Sequence, residues 1–140
     1  NGIIHTATIN IKVTKMLSSG LLSNIATTLI NALGANPILR IFAGTPPNPI
    51  NTPQDQPLVE IILPEPQYNE TTERIEFTSE MSGTILTNGT ASFFQIYEET
   101  GTTPLLQGTV GTNDADIILE NANLTTPGTL TLTNFYISII

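Results

Sequence analysis

Residues 84–97 read TILTNGTASFFQIY, and this stretch decides the fold class. Asn88-Gly89 lies between two short apolar runs. It is the strongest hairpin signal in the chain, because a type I′ turn needs φ > 0 at both central residues. The run that follows is aromatic and β-branched, as strands prefer. Phe93 and Tyr97 share one parity, while Phe94 pairs with Ile96. Apolar side chains on both faces predict a central strand covered on both sides, by two layers of core or by core plus an interface.

Outward from there the reading stays β. Candidate strands are 38–43, 58–63, 74–79, 84–88, 90–97, 105–110, 115–120 and 129–139. Glu98 to Gly101 marks a turn, and Thr126-Pro127-Gly128 introduces the last strand. There the apolar parity switches from Leu130 and Leu132 to Phe135, Ile137 and Ile139, which predicts a bulge near Asn134. Residues 3–13 alternate as well: Ile3, Ala7, Ile9, Ile11 and Val13 share one parity, with His5 among them, read as a packed histidine. Leu17, Leu21, Leu22, Ile25, Leu29, Ile30 and Leu33 instead recur at three- and four-residue steps, the stripe of an amphipathic helix over 17–33. Ser18 or Ser19 caps its start, and Gly34 with Asn36-Pro37 stops it. Its polar face carries no charge, which suits packing against a partner as well as against a sheet. Residues 44–57 hold five of the ten prolines and read as a long surface loop, a candidate for contacts. The expected fold is mainly β: an antiparallel β-sandwich, jelly-roll-like, with one N-terminal amphipathic helix. At 140 residues a single domain (17–140) is expected, preceded by an N-terminal arm or strand (1–16).

Composition excludes more than it proposes. There is no cysteine and one histidine, so disulfide frameworks, thiolate metal sites and cysteine nucleophiles are ruled out. Four basic residues stand against twelve acidic ones, for a net charge of −8. Such a chain is poorly supplied with the cations that phosphate backbones or anionic lipid require. Only 11% of residues are charged, and Thr and Asn together make up about a quarter. No apolar run approaches the ~20 residues of a spanning helix, and no leader-like segment is expected.

Catalytic constellations are equally scarce. No G-x-S-x-G elbow, P-loop or dinucleotide fingerprint occurs, and His5 is the sole imidazole. Glu98/Glu99, Asp114/Asp116 and Glu73/Glu76 supply paired carboxylates, but with 6% aromatics and no Trp a sugar-stacking cleft is poorly provided. Asn113 to Asp116 offers oxygens to a hard cation without the glycine and distal glutamate of an EF-hand, and a polar turn explains it equally. Three Asn-x-Thr sequons, at Asn69, Asn88 and Asn123, are about what so Asn- and Thr-rich a chain yields by chance. No catalytic residue, metal site or cofactor is expected.

Several segments carry a resemblance. These are Ile38 to Pro46 (ILRIFAGTP), Leu58 to Pro64 (LVEIILP), Gly89 to Ile96 (GTASFFQI), Leu106 to Gly111 (LQGTVG), Ala115 to Ile117 and the final strand Leu130 to Ile139. Together, from about Leu21 onward, they resemble a group of small phage-encoded proteins of virion gene neighbourhoods. The resemblance implies a non-enzymatic structural protein of a tailed-phage virion. The acidic charge places it on the outer surface of the particle, as a capsid decoration (cement) protein that stabilises the shell. A tail or neck component, or a glycan- or host-binding β-sandwich module, is the alternative. Expected partners are the major capsid protein or other virion proteins and further copies in a homo-oligomer, with neither nucleic acid nor membrane. The expected contact residues are Ile3, Ile9, Ile11 and Val13 of the arm, adding a strand to a neighbour's sheet edge, and Pro46, Pro47, Pro49 and Ile50 of the loop.

Overall fold

A computed structural model describes residues 2–11 and 17–139. In chain order its elements are β1 (Gly2–Ile11), α1 (Ser19–Leu33), β2 (Ile38–Phe42), β3 (Val59–Ile62), β4 (Gln67–Asn69), β5 (Arg74–Phe77) and β6 (Met81–Thr84). Then follow β7 (Gly89–Thr90), β8 (Phe93–Tyr97), β9 (Pro104–Gly111), β10 (Ile117–Ile118), β11 (Asn123–Leu124) and β12 (Thr129–Ile139). The chain is mainly β with one N-terminal helix. Ten strands form one curled sheet in the order β3-β2-β8-β9-β10-β1-β12-β5-β4, with β6 also paired to β12; β7 and β11 pair separately. The β3 end returns toward β6 through the bridge Val59↔Ile85 and the Leu86 N–H donated to the Leu58 carbonyl at 2.7 Å.

The pairing is mixed rather than purely antiparallel: β1 runs parallel to β12, and β10 parallel to β9. Side-chain periodicity reports faces and not partners, so strand direction is invisible to it. The second case is unusual because a parallel return ordinarily needs a dozen or more residues, and here residues 112–116 suffice. A reciprocal bracket holds it. The Asp116 carboxylate accepts from the Thr109 N–H at 2.9 Å, and the Asp116 N–H donates to the Thr109 hydroxyl at 3.0 Å. The Asn113–Asp116 segment is therefore a turn.

The helix begins and ends as its sequence dictates. Ser18 caps it by accepting the Leu21 N–H, and Gly34 closes it at φ 83°, a left-handed backbone that suits glycine. Its buried residues are Leu22, Ala26 and Leu33. The core joins Ala26 and Leu33 to Leu39, Ile41, Ile61, Ile75, Phe77, Phe94, Ile96, Leu132, Phe135 and Ile137. Phe77 and Phe135, facing each other across β5 and β12, stack at 5.0 Å. The bulge expected near Asn134 is present. Along the parallel pair Thr6 lies opposite Thr133 and Thr8 opposite Tyr136, so β12 spends one extra residue there. That residue keeps Leu130 and Leu132 before it, and Phe135 and Ile137 after it, all buried.

Asn88-Gly89 does not form a hairpin. Neither residue has positive φ, and the flanking segments pair elsewhere: Thr84 with Thr129, Gly89 with Leu124. The Asn88 side-chain oxygen instead accepts the Thr126 N–H at 2.7 Å. A Cβ on Gly89 would lie 2.8 Å from a Leu58 methyl, so close packing explains the glycine. Of the strand expected over 84–88, the register moves forward to Met81–Thr84, leaving Ile85 as a single bridge. Strands β4 and β11, three and two residues long, were not expected; they are too short and polar to show a period.

Gly83 marks the tightest approach in the curl, where an added Cβ would overlap the Glu60 carbonyl oxygen and crowd Ile61. Gly83→Ala should destabilise the domain by about 2–3 kcal/mol through overpacking against backbone. Gly20→Ala, with nothing within 4 Å of the new methyl, should instead stabilise by about 0.5–1 kcal/mol through helix propensity. Urea midpoints of the two variants against the parent test both signs.

Candidate functional site

All five residues of β8 are buried. Phe94 and Ile96 face the core, whereas Phe93, Gln95 and Tyr97 occupy the opposite parity. A fully buried glutamine is costly unless its amide is bonded, and Gln95 has no exposed surface. Its Nε2 donates to the Asn51 carbonyl at 2.9 Å and to Gln107 Oε1 at 2.8 Å, and its Oε1 accepts from the Tyr97 hydroxyl. Gln107, opposite Gln95 in the β8–β9 register, donates to the Pro47 carbonyl at 3.0 Å. Two glutamines of neighbouring strands thus grip the backbone of loop 44–57 at Pro47 and Asn51.

The row continues on the other side. Arg40 of β2 lies in register with Gln95 and with Glu60 of β3. Its Nε donates to Glu60 at 2.6 Å, its Nη1 donates to the Gly101 carbonyl at 3.1 Å, and its guanidinium lies 4.3 Å over the Tyr97 ring. Glu60, Arg40, Gln95 and Gln107 form one polar row across four strands. It fixes loop 44–57 at one end and the 98–103 turn at the other. A turn was expected at Glu98–Gly101; it joins the antiparallel strands β8 and β9, with Gly101 at φ 76° and its N–H donated to the Glu98 carbonyl at 2.8 Å.

The seated loop presents Pro46, Pro49 and Ile50 to solvent, Ile50 at 43% exposure, while Pro47 is half-buried above its bonded carbonyl. These four expected contact residues therefore share one surface. Ile3, Ile9 and Ile11 do not join them. They stand in β1, between β12 and β10 and beyond β8 and β9 in the sheet order. Val13 lies outside the described residues. Sequence reading missed Arg40, Glu60, Gln95 and Gln107. One signal was available: a lone glutamine inside FFQIY, a strand read as buried on both faces, demands a buried partner.

The paired carboxylates diverge into structural roles. Glu98 caps its own turn, whereas Glu99 accepts the Ala35 N–H at 2.7 Å beyond the helix end. Glu76 accepts from Asn69 and Thr72. It borders a depression of about 420 Å³ that also holds Glu80 and Arg74, the latter stacked over Tyr136 at 4.1 Å. A second, apolar groove of about 480 Å³ runs between Ile25, Leu29 and Ala32 of α1 and Leu105 and Leu106 of β9. Among the described residues no three His, Cys, Asp or Glu side chains converge on a metal position, and no helix is long and apolar enough to cross a membrane.

Gln95→Leu strands the Asn51 carbonyl, the Tyr97 hydroxyl and the Gln107 amide together. It should cost about 3 kcal/mol and open loop 44–57 to proteolysis; a variant with unchanged protease sensitivity would refute the grip. The Glu98 carboxylate is held below the usual range by the Thr100 hydroxyl first and the Thr102 N–H next, against an opposing desolvation, with lesser support from the Thr103 and Gly101 N–H groups. Its folded value lies below its unfolded one, so the turn is fully supported above the ordinary glutamate range. That support is lost as pH falls through the lowered value. The Thr102 amide shift should follow this acid-side titration by NMR and lose it in Glu98→Gln. Comparison with protein-family models, with curated proteins and with solved structures gives no match.

Proposed function

We propose that the chain is a non-enzymatic structural subunit of a tailed-phage particle, a decoration (cement) protein on the outer surface of the capsid that ties neighbouring shell subunits together. The observation that carries this reading is the seated loop 44–57, gripped through its own carbonyls while Pro46, Pro49 and Ile50 point outward. A loop ordered before contact loses little conformational freedom on binding. Prolines add to this by restricting φ in the unbound state. The sequence resemblance to virion proteins supplies the assembly, and the net charge of −8 favours the face away from packaged DNA. Three ionisable side chains are engaged in holding the fold: Asp116 in the β9–β10 return, Glu98 in its turn and Arg40 in the row. Of the aromatics, Phe42, Phe93 and Tyr97 are buried, while Tyr68 and Tyr136 are half-buried and Tyr136 lies under the Arg74 guanidinium. The partners on this reading are the major capsid protein and further copies of the chain.

Shells lacking the protein, incubated with it and imaged by electron microscopy, should show added density on their outer surface. They should also resist heat better, since a ligand of the assembled state stabilises that state by about 2.7 kcal/mol at a hundred times its Kd. Ile50→Glu should weaken shell binding about tenfold or more, equivalent to about 1.4 kcal/mol, with no change in the urea midpoint. Density at the tail or neck, or none at all, would overturn the capsid assignment.

A further inference from the structure

β1 occupies a slot rather than an edge. On one side it runs parallel to β12 from Gly2↔Thr129 to Ile11↔Ile139; on the other it meets β10 at Ala7↔Ile117. Simple addition of this strand to a neighbour's free edge is therefore not what the fold offers. Without β1, the eleven residues of β12 would keep β6 and β5 on one side and have a bare edge on the other, and β10 would keep only β9. A long bare edge is a template for an incoming strand.

We infer that this slot accepts β1 from a second copy of the chain, so that copies are joined by strand exchange. The inference rests on the reading of the protein as a subunit of an assembly and names the link between copies. Three features select the occupant. The slot has an irregular register, with one extra residue in β12 between the Thr6↔Thr133 and Thr8↔Tyr136 pairs. The first strand of this chain matches it, and by identity so does the first strand of any copy. β1 also has no sequence neighbour among its partners: the element that follows it is α1, while it pairs with β10 and β12, so none of its pairings is set by a tight turn. Finally, Gly2–Ile11, Ile117–Ile118 and Thr129–Ile139 contain no Asp, Glu, Lys or Arg. Two copies that each carry a charge of −8 therefore meet along a seam without like charges. Every pairing made within one chain is reproduced between two. The choice between them then depends on concentration relative to the effective concentration of the tethered strand, which for short tethers is of order millimolar. The crowding of subunits on a shell favours the exchanged form.

The absence of cysteine allows a direct test. Asn10 and Ser138 are register neighbours across β1 and β12. Copies carrying Asn10→Cys alone are mixed with copies carrying Ser138→Cys alone, held at about 1 mM, near the tether's effective concentration, and oxidised. A disulfide-linked heterodimer in excess of its statistical share forms only if one copy's β1 lies beside the other's β12. Heterodimer exceeding either homodimer about tenfold, and falling on dilution below the tether's effective concentration, is the expected result. Heterodimer at its statistical share, with the double variant closing within one chain at every concentration, would overturn strand exchange. Native mass spectrometry of unsubstituted protein mixed with an isotope-labelled copy provides a readout free of any substitution: mixed oligomers are expected, and monomers alone at millimolar concentration count against the proposal. These measurements use isolated protein, so they fail or succeed independently of shell binding.

Discussion

The need of β12 for partners on both edges governs the rest of the structure. Its eleven residues present a row of N–H and C=O groups on each side, and buried backbone left unpaired is costly. One side is met along its length by β1; the other is shared, β6 covering 129–132 and β5 covering 135–138. The division falls at the bulge, and the two facts have one cause. A strand that changes partners midway must keep its apolar face inward through the change, and a one-residue slip would turn every side chain over. The extra residue near Asn134 absorbs that slip, so Leu132 and Phe135 both reach the core. Because β1 pairs with β12, the sheet is complete only when both are in place, a topology of long sequence separations.

Low charge sets the second constraint. With 11% of residues charged, loops are held by local side-chain bonds to backbone rather than by ion pairs; Arg40–Glu60 is the one salt bridge among the described residues. Asn69 accepts the Thr71 and Thr72 amides, Asn121 the Asn123 amide, and Asn88 the Thr126 amide, while Asn123 accepts the Thr90 hydroxyl. Asn69 and Asn121 thus hold their own turns, as Asn side chains readily do, while Asn88 and Asn123 tie together segments distant in sequence. The asparagines of all three sequons take part in these bonds.

What the sequence disclosed and what it withheld divide along the same physical line. Features set by neighbours in sequence were legible: the helix with its Ser18 cap and Gly34 stop, the 98–103 turn, the parity switch at Asn134. Features set by distant contacts were not. Asn88-Gly89 has the composition of a type I′ turn, yet the pull of Thr126 and the proximity of Leu58 override it. The parallel partners of β1 and β10 leave no periodic trace. The seat of loop 44–57 depends on Gln95 and Gln107, twelve residues apart in sequence and adjacent only through the β8–β9 register. A buried-on-both-faces strand was read correctly at FFQIY, but the cover for its outer face came from the chain's own proline-rich loop.

That cover bears on how the domain meets its partners. The polar row Glu60–Arg40–Gln95–Gln107 lies across β3, β2, β8 and β9, whereas the β1 slot lies past β10. The loop and the exchanged strand are therefore different surfaces on different stretches of one curled sheet. Under the proposed strand exchange, two copies that trade strands close a two-fold dimer, whereas a strand given to one copy and a slot filled by another make heterologous contacts, because the donating and accepting surfaces are not the same patch. Such contacts close into rings when the rotation permits and otherwise extend as chains. On that proposal loop 44–57 stays clear of the exchanged strand and open to a chemically different partner. If the proposed shell contact and strand exchange both hold, one domain with two unlike contact surfaces binds the shell and its own kind at once, and each attachment raises the effective concentration for the other.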